Sequence, residues 1–171
     1  PNGPPGGTVG VSMSRSGPQG ILVVEDDQEV RCLLEREIAE LGHEVRTARD
    51  AEGALQLLAV EPCAVVVTDI RMPGMDGVEL TRVIKDRWPE TEVIIITGFA
   101  SVDSASRAVR LGACDYLVKP VGDIDRIGES LDRALVRQRQ RRALEERVVS
   151  LQIHRDTLAG LLDRLPLGVI L

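Results

Sequence analysis

Three acids stand where apolar runs stop. Glu25 and Asp26 follow ILVV (21–24), and Asp69 follows AVVVT (64–68). A hydroxyl, Thr97, closes EVIII (92–96), and an amine, Lys119, closes DYLV (115–118). Carboxylates gathered in one cleft repel each other unless a cation joins them. A hard divalent ion such as Mg2+ takes oxygen ligands, typically one or two carboxylates, a carbonyl and waters, and leaves room for a phosphoryl oxygen. In that setting Asp69 can act as a nucleophile and form an acyl phosphate. Lys119 can neutralise one phosphate oxygen, and Thr97 can donate a hydrogen bond to another. The residue types point to phosphoryl transfer by positioning and charge neutralisation.

Alternating elements would have to bring these five positions together. ILVV (21–24), HEVRTA (43–48), AVVVTD (64–69), EVIIITG (92–98) and DYLVKP (115–120) read as strands. Between them lie helical periods. The first carries Val30, Leu33, Leu34, Ile38 and Leu41, with Asp27 as N-cap and Gly42 as its stop. The others cover 50–62, 77–88 and 101–112, the last from a Ser cap to Gly112, and a final helix starts near Asp123. Strands alternating with helices mean βαβ units, an α/β fold and a parallel sheet covered on both faces. In such sheets chemistry gathers outside the carboxyl ends of the strands, where these acids fall.

The motifs ILVVEDD, VVVTDIRMPGMDG, VIIITG and DYLVKP, in this order, resemble the receiver domain of bacterial two-component response regulators across residues 20–135. The resemblance implies a doubly wound, flavodoxin-like five-stranded parallel sheet of order 2-1-3-4-5. It implies that Asp69 is the phosphorylated aspartate, with a histidine kinase or phosphotransfer protein as donor. Glu25, Asp26, Asp69 and the Arg71 backbone carbonyl would hold Mg2+. Thr97 and Lys119 match the switch hydroxyl and the lysine of the family, and Tyr116 matches its rotating aromatic. The Lys119–Pro120 bond is expected to be cis. Pro73 and Gly77 would shape the loop that carries Asp69 and Arg71. Val121-Gly122 departs from the family, which usually has Phe after Lys-Pro.

Two other classes fit part of the pattern. An Asp-nucleophile phosphatase needs a second acid two positions after the nucleophile, and Arg71 stands there. A receiver-fold interaction module would keep the fold while its phosphorylation is vestigial. The chain itself is expected not to be an enzyme, although its parent could be a hybrid histidine kinase. His154 is followed by Arg155 and lacks the acid and nearby Pro of a phosphoaccepting histidine.

The chain has 171 residues, a net charge of −6, 43% hydrophobic residues and only 2% aromatics. That suffices for one domain and an extension, with a core of Val, Ile, Leu and Ala. The acidic balance and the lack of a helix-turn-helix argue against nucleic-acid binding, and no apolar run is long enough for a bilayer. Cys32, Cys63 and Cys114 are far apart, and read as reduced, mostly buried thiols of a cytoplasmic protein. Residues 1–19 are Gly-, Pro- and Ser-rich and read as a flexible tail, with Met13 a plausible natural start. Past residue 135, Leu144, Val148, Leu151, Leu158, Leu162 and Leu165 are spaced as a heptad seam, with Arg155 in one core position. This predicts a coiled-coil signalling helix over 136–165 that forms a parallel homodimer. LPLGVIL at the end is similar to the opening of a PAS domain, so 166–171 is expected to begin a further domain of a longer protein.

Overall fold

The computed structural model describes residues 20–119 and 124–162. Five strands and five helices alternate: β1 (Ile21–Val24), α1 (Gln28–Glu40), β2 (Val45–Ala48), α2 (Ala51–Val60), β3 (Val65–Thr68), α3 (Gly77–Arg87), β4 (Glu92–Thr97), α4 (Val102–Arg110), β5 (Asp115–Val118) and α5 (Ile124–Leu162). All strands pair in parallel, in the order β2-β1-β3-β4-β5. The expected flavodoxin-like topology is therefore the observed one.

The continuous apolar runs explain which strands are central. β1, β3 and β4 are buried along their whole length, whereas β2 lies on an edge and stays mostly half-exposed. Alternate residues feed two layers. Ile21, Val23, Val65, Val67, Ile94 and Ile96 pack against Leu34 and Ile38 of α1 and Ile127 and Leu131 of α5. Leu22, Val24, Val66 and Val93 pack against Ala54 and Leu58 of α2 and Leu80 and Ile84 of α3. A smaller cluster of Ile70, Val78, Ile95 and Ala108 seats α4.

The helices begin where the sequence places caps. Asp27 Oδ1 accepts the amides of Glu29 and Val30 at 2.9 and 3.0 Å. Ser101 and Ser104 form a reciprocal capping box at the start of α4. Gly42 and Gly112, at φ +87°, close α1 and α4 in a backbone region that other residues rarely enter.

Two expectations for α1 need correction. Leu33 and Cys32 are exposed, because the buried stripe of α1 is narrow and centres on Leu34 and Ile38. Cys63 is buried and Cys114 half-buried.

The last helix is one continuous rod of 39 residues, about 60 Å long. Its buried positions, Ile127, Ser130, Leu131, Ala134 and Gln138, extend past residue 135. Beyond them Leu144, Val148, Leu151 and Leu158 face solvent in the single chain. The expected flexible tail (1–19), the Lys119–Pro120 bond, Val121-Gly122, Leu165 and the PAS-like stretch at 166–171 lie outside the described residues. No described helix is long and apolar enough to cross a membrane.

Candidate functional site

The site lies at the carboxyl edge of the sheet, where β1 and β3 are neighbours. Val24 and Thr68 are in register, so Glu25 and Asp69 leave their strands side by side. The amide of Asp69 donates to the Val24 carbonyl at 3.1 Å, and that of Glu25 donates to the Ala48 carbonyl at 3.1 Å. One carboxylate oxygen from each of Glu25, Asp26 and Asp69 lies within 4.8 Å of the others. Glu25 and Asp69 are buried, while Asp26 opens to solvent.

Lys119 closes the group from the other side of the sheet. It follows β5, and its amide donates to the Thr97 carbonyl at 2.9 Å. Its ammonium donates to Glu25 Oε2 at 2.6 Å and to Asp69 Oδ2 at 3.1 Å. Burial pushes the Glu25 carboxyl above its usual range, and the nearby lysine only partly offsets this. Burial alone would lower the Lys119 pKa, but hydrogen bonds to the two carboxylates outweigh it and raise the value. The other Asp69 oxygen, Oδ1, accepts the Ile70 amide at 2.6 Å.

The acids fit a hard divalent ion. Lys119 binds two of the three carboxylates and leaves Asp26 without a paired cation among the described residues. The donors are all oxygens, with one exposed carboxylate on the open side, as expected for an ion that keeps several waters.

Gly77 is the structural reason for the Asp-Gly that opens α3. A Cβ there would lie 1.9 Å from the Asp69 carbonyl oxygen, so only glycine lets α3 start against the end of β3. Its amide donates to the Ile70 carbonyl at 2.9 Å, which fixes the turn. Gly74 adopts φ +80° within the same loop.

The remaining expected residues are placed less directly. The Thr97 hydroxyl is buried and accepts the Phe99 amide at 3.2 Å; no hydrogen bond joins it to a carboxylate among the described residues. Tyr116 turns toward α4, where its hydroxyl bonds Ser104 Oγ at 2.9 Å and its ring packs on the cluster of Ile70, Val78, Ile95 and Ala108. Arg71 lies in the loop after Asp69, with its guanidinium 3.8 Å above the Phe99 ring. That contact joins the β3–α3 and β4–α4 loops, and motif spacing does not foretell it.

Comparison with known proteins agrees with the geometry. The response regulator receiver domain family matches residues 21–132. The response regulator protein FleR of Pseudomonas aeruginosa is 44% identical over 100 residues, 58% of this chain and 21% of its own length. The DNA-binding transcriptional regulator NtrC of Escherichia coli K12 is 42% identical over 115 residues, 67% of this chain and 24% of its own length. The solved receiver domain of NtrX from Brucella abortus superposes with a TM-score of 0.63 at 38% identity, covering 67% of this chain and 97% of that one. The chain belongs to the response regulator receiver domain family, the phosphoacceptor module of two-component signalling. Receiver domains interact with histidine kinases or phosphotransfer partners and typically bind Mg2+ at an acidic pocket. The chain spans about a fifth to a quarter of the length of these curated relatives.

Proposed function

We propose that Asp69 accepts a phosphoryl group from a histidine kinase or phosphotransfer protein, with Mg2+ held by Glu25, Asp26, Asp69 and the Arg71 backbone carbonyl. The juxtaposition of Asp69 with two further acids and with Lys119, at the carboxyl edge of a parallel sheet, carries this reading. When bound, Mg2+ offsets the charge of the incoming phosphoryl oxygens. The Asp69 carboxylate attacks phosphorus. The bond from phosphorus to the donor nitrogen breaks, its electron pair stays on the imidazole, and an aspartyl phosphate forms.

Lys119 already touches Asp69 and transfers its hydrogen bonding to a phosphate oxygen with a small movement. The Thr97 hydroxyl accepts from Phe99, so its own proton is free to donate to a second phosphate oxygen. That donation draws Thr97 inward. Tyr116, released from Ser104, is the second switch residue. The change passes to α5. Residues 20–135 act as the receiver in the cytoplasm, and 136–165 act as a signalling helix paired with a second copy. The partners are proteins; nucleic acid and membrane play no part in these residues.

The test is Mg2+-dependent modification by acetyl phosphate, followed by intact mass. Wild-type protein is expected to gain one phosphoryl group and Asp69→Asn none. Equal modification of both would rule out Asp69 as the acceptor.

A further inference from the structure

Glu92 opens β4 at the amino edge of the sheet, opposite the phosphoacceptor site. It is a fully buried carboxylate. Oε2 accepts from Lys85 Nζ of α3 at 2.9 Å, and Lys85 also donates to the Thr91 carbonyl at 2.8 Å. Oε1 has no hydrogen-bond partner, yet it lies 3.9 Å from the Nε atoms of both Arg137 and Arg141 of α5. Arg141 also donates to the Pro89 carbonyl at 2.6 Å. One buried acid thus draws two arginines of the long helix onto the receiver.

These arginines hold a special position in the helix. The leucine seam continues backward without a break in spacing. Positions 127, 130, 134, 137, 141, 144, 148, 151, 155 and 158 form one heptad frame. Its first three residues, Ile127, Ser130 and Ala134, are buried against the sheet. Leu144, Val148, Leu151 and Leu158 are exposed, each by more than half. A straight α-helix drifts by about 20° per heptad, so the stripe swings about 60° between Ile127 and Val148 and leaves the receiver. Arg137 and Arg141 sit where one use of the stripe ends and the other begins.

In a parallel dimer, identical residues of such a frame face each other. The 137 and 141 layers would then oppose guanidinium groups, a like-charge juxtaposition that weakens association. We propose that Glu92 sets the amino-terminal limit of the dimer seam by holding Arg137 and Arg141 against its own receiver, so that pairing with a second copy starts at Leu144. This rests on the reading that α5 dimerises. It makes Glu92 a positioning residue that links the sheet to the point where the two helices meet.

Two sets of changes separate this role from simple packing. Glu92→Gln keeps the shape, removes the charge and frees two arginines toward the seam; the dimer is expected to weaken about tenfold by sedimentation equilibrium. The pair R137Q/R141Q removes the same attachment from the exposed side but leaves neutral layers; its dimer is expected to tighten relative to wild type. Unchanged amide exchange over 127–134 in R137Q/R141Q checks that docking persists. No change, or weakening, in R137Q/R141Q overturns the proposal even where Glu92→Gln fails to fold. A wild-type dimer with equal affinity in both variants overturns it too. A wild-type chain that stays monomeric at all concentrations overturns the dimer reading itself.

Discussion

Lys119 Nζ sits 2.6 Å from Glu25 Oε2, joining residues from opposite ends of the receiver segment. The same ammonium lies 3.1 Å from Asp69, so it is the cation that lets two buried acids share one edge of the sheet. Removing one member of such a group leaves charges buried without partners. Lys119→Gln is expected to lower stability by about 1–3 kcal/mol in urea denaturation. Added Mg2+ should then restore more stability to the variant than to wild type. Equal stability of the two proteins without Mg2+ would show that Lys119 does not hold the acids together.

Gly77→Ala places a Cβ against the Asp69 carbonyl oxygen, at a separation no real contact allows. Backbone must move on one side or the other, and both sides belong to the site. The expected cost is about 3 kcal/mol or more, at the upper end for overpacked positions. Thermal melting measures it. A variant that melts like wild type would mean that α3 can start elsewhere without disturbing β3.

Asp115 ties the start of β5 to α5, accepting from Ser130 Oγ at 2.8 Å and from Arg133. Its partial burial would raise its pKa, but the bonds from Arg133 and Ser130 outweigh that and lower it. A carboxylate with a depressed folded pKa contributes stability above its unfolded value, near about 4, and loses it as pH falls through the folded value. The stability gap between wild type and Asp115→Asn is therefore expected to be full at neutral pH and to shrink below about pH 4. A gap that grows on acidification would reverse the sign and refute the assignment.

The three thiols should react at distinct rates. Cys32 is exposed, whereas burial pushes the Cys63 thiol up to about 11 and raises that of Cys114. Thiolate is the reactive form. A thiol-specific reagent at neutral pH is expected to modify Cys32 first, with Cys63 protected until the protein unfolds. Rapid labelling of Cys63 in folded protein would contradict the buried placement.

The chain pattern carried most of the fold because central parallel strands are covered on both faces and must be apolar throughout. That made β1, β3 and β4 plain, and it placed Glu25, Asp26, Asp69 and Lys119 at the carboxyl edge. What stayed hidden depends on side-chain direction and on partners distant in sequence. Leu33 fits the helical period of α1 and still faces solvent, since period alone does not give the width of the buried stripe. Tyr116 bonds Ser104, and Thr97 bonds the Phe99 amide; neither partner follows from motif spacing. Glu92 reads as an ordinary polar residue at the start of a strand. Its burial is evident only once Lys85, Arg137 and Arg141 converge from two helices.

The central claim is that the carboxylate of Asp69, among the three acids of the cluster, becomes the acyl phosphate. Borohydride reduces an acyl phosphate of aspartate to homoserine, which peptide mass spectrometry locates. Protein treated with acetyl phosphate and Mg2+ and then reduced is expected to carry homoserine at position 69, with Glu25 and Asp26 unchanged. Reduction at Glu25 or Asp26, or a phosphorylated protein with position 69 intact, would contradict the account.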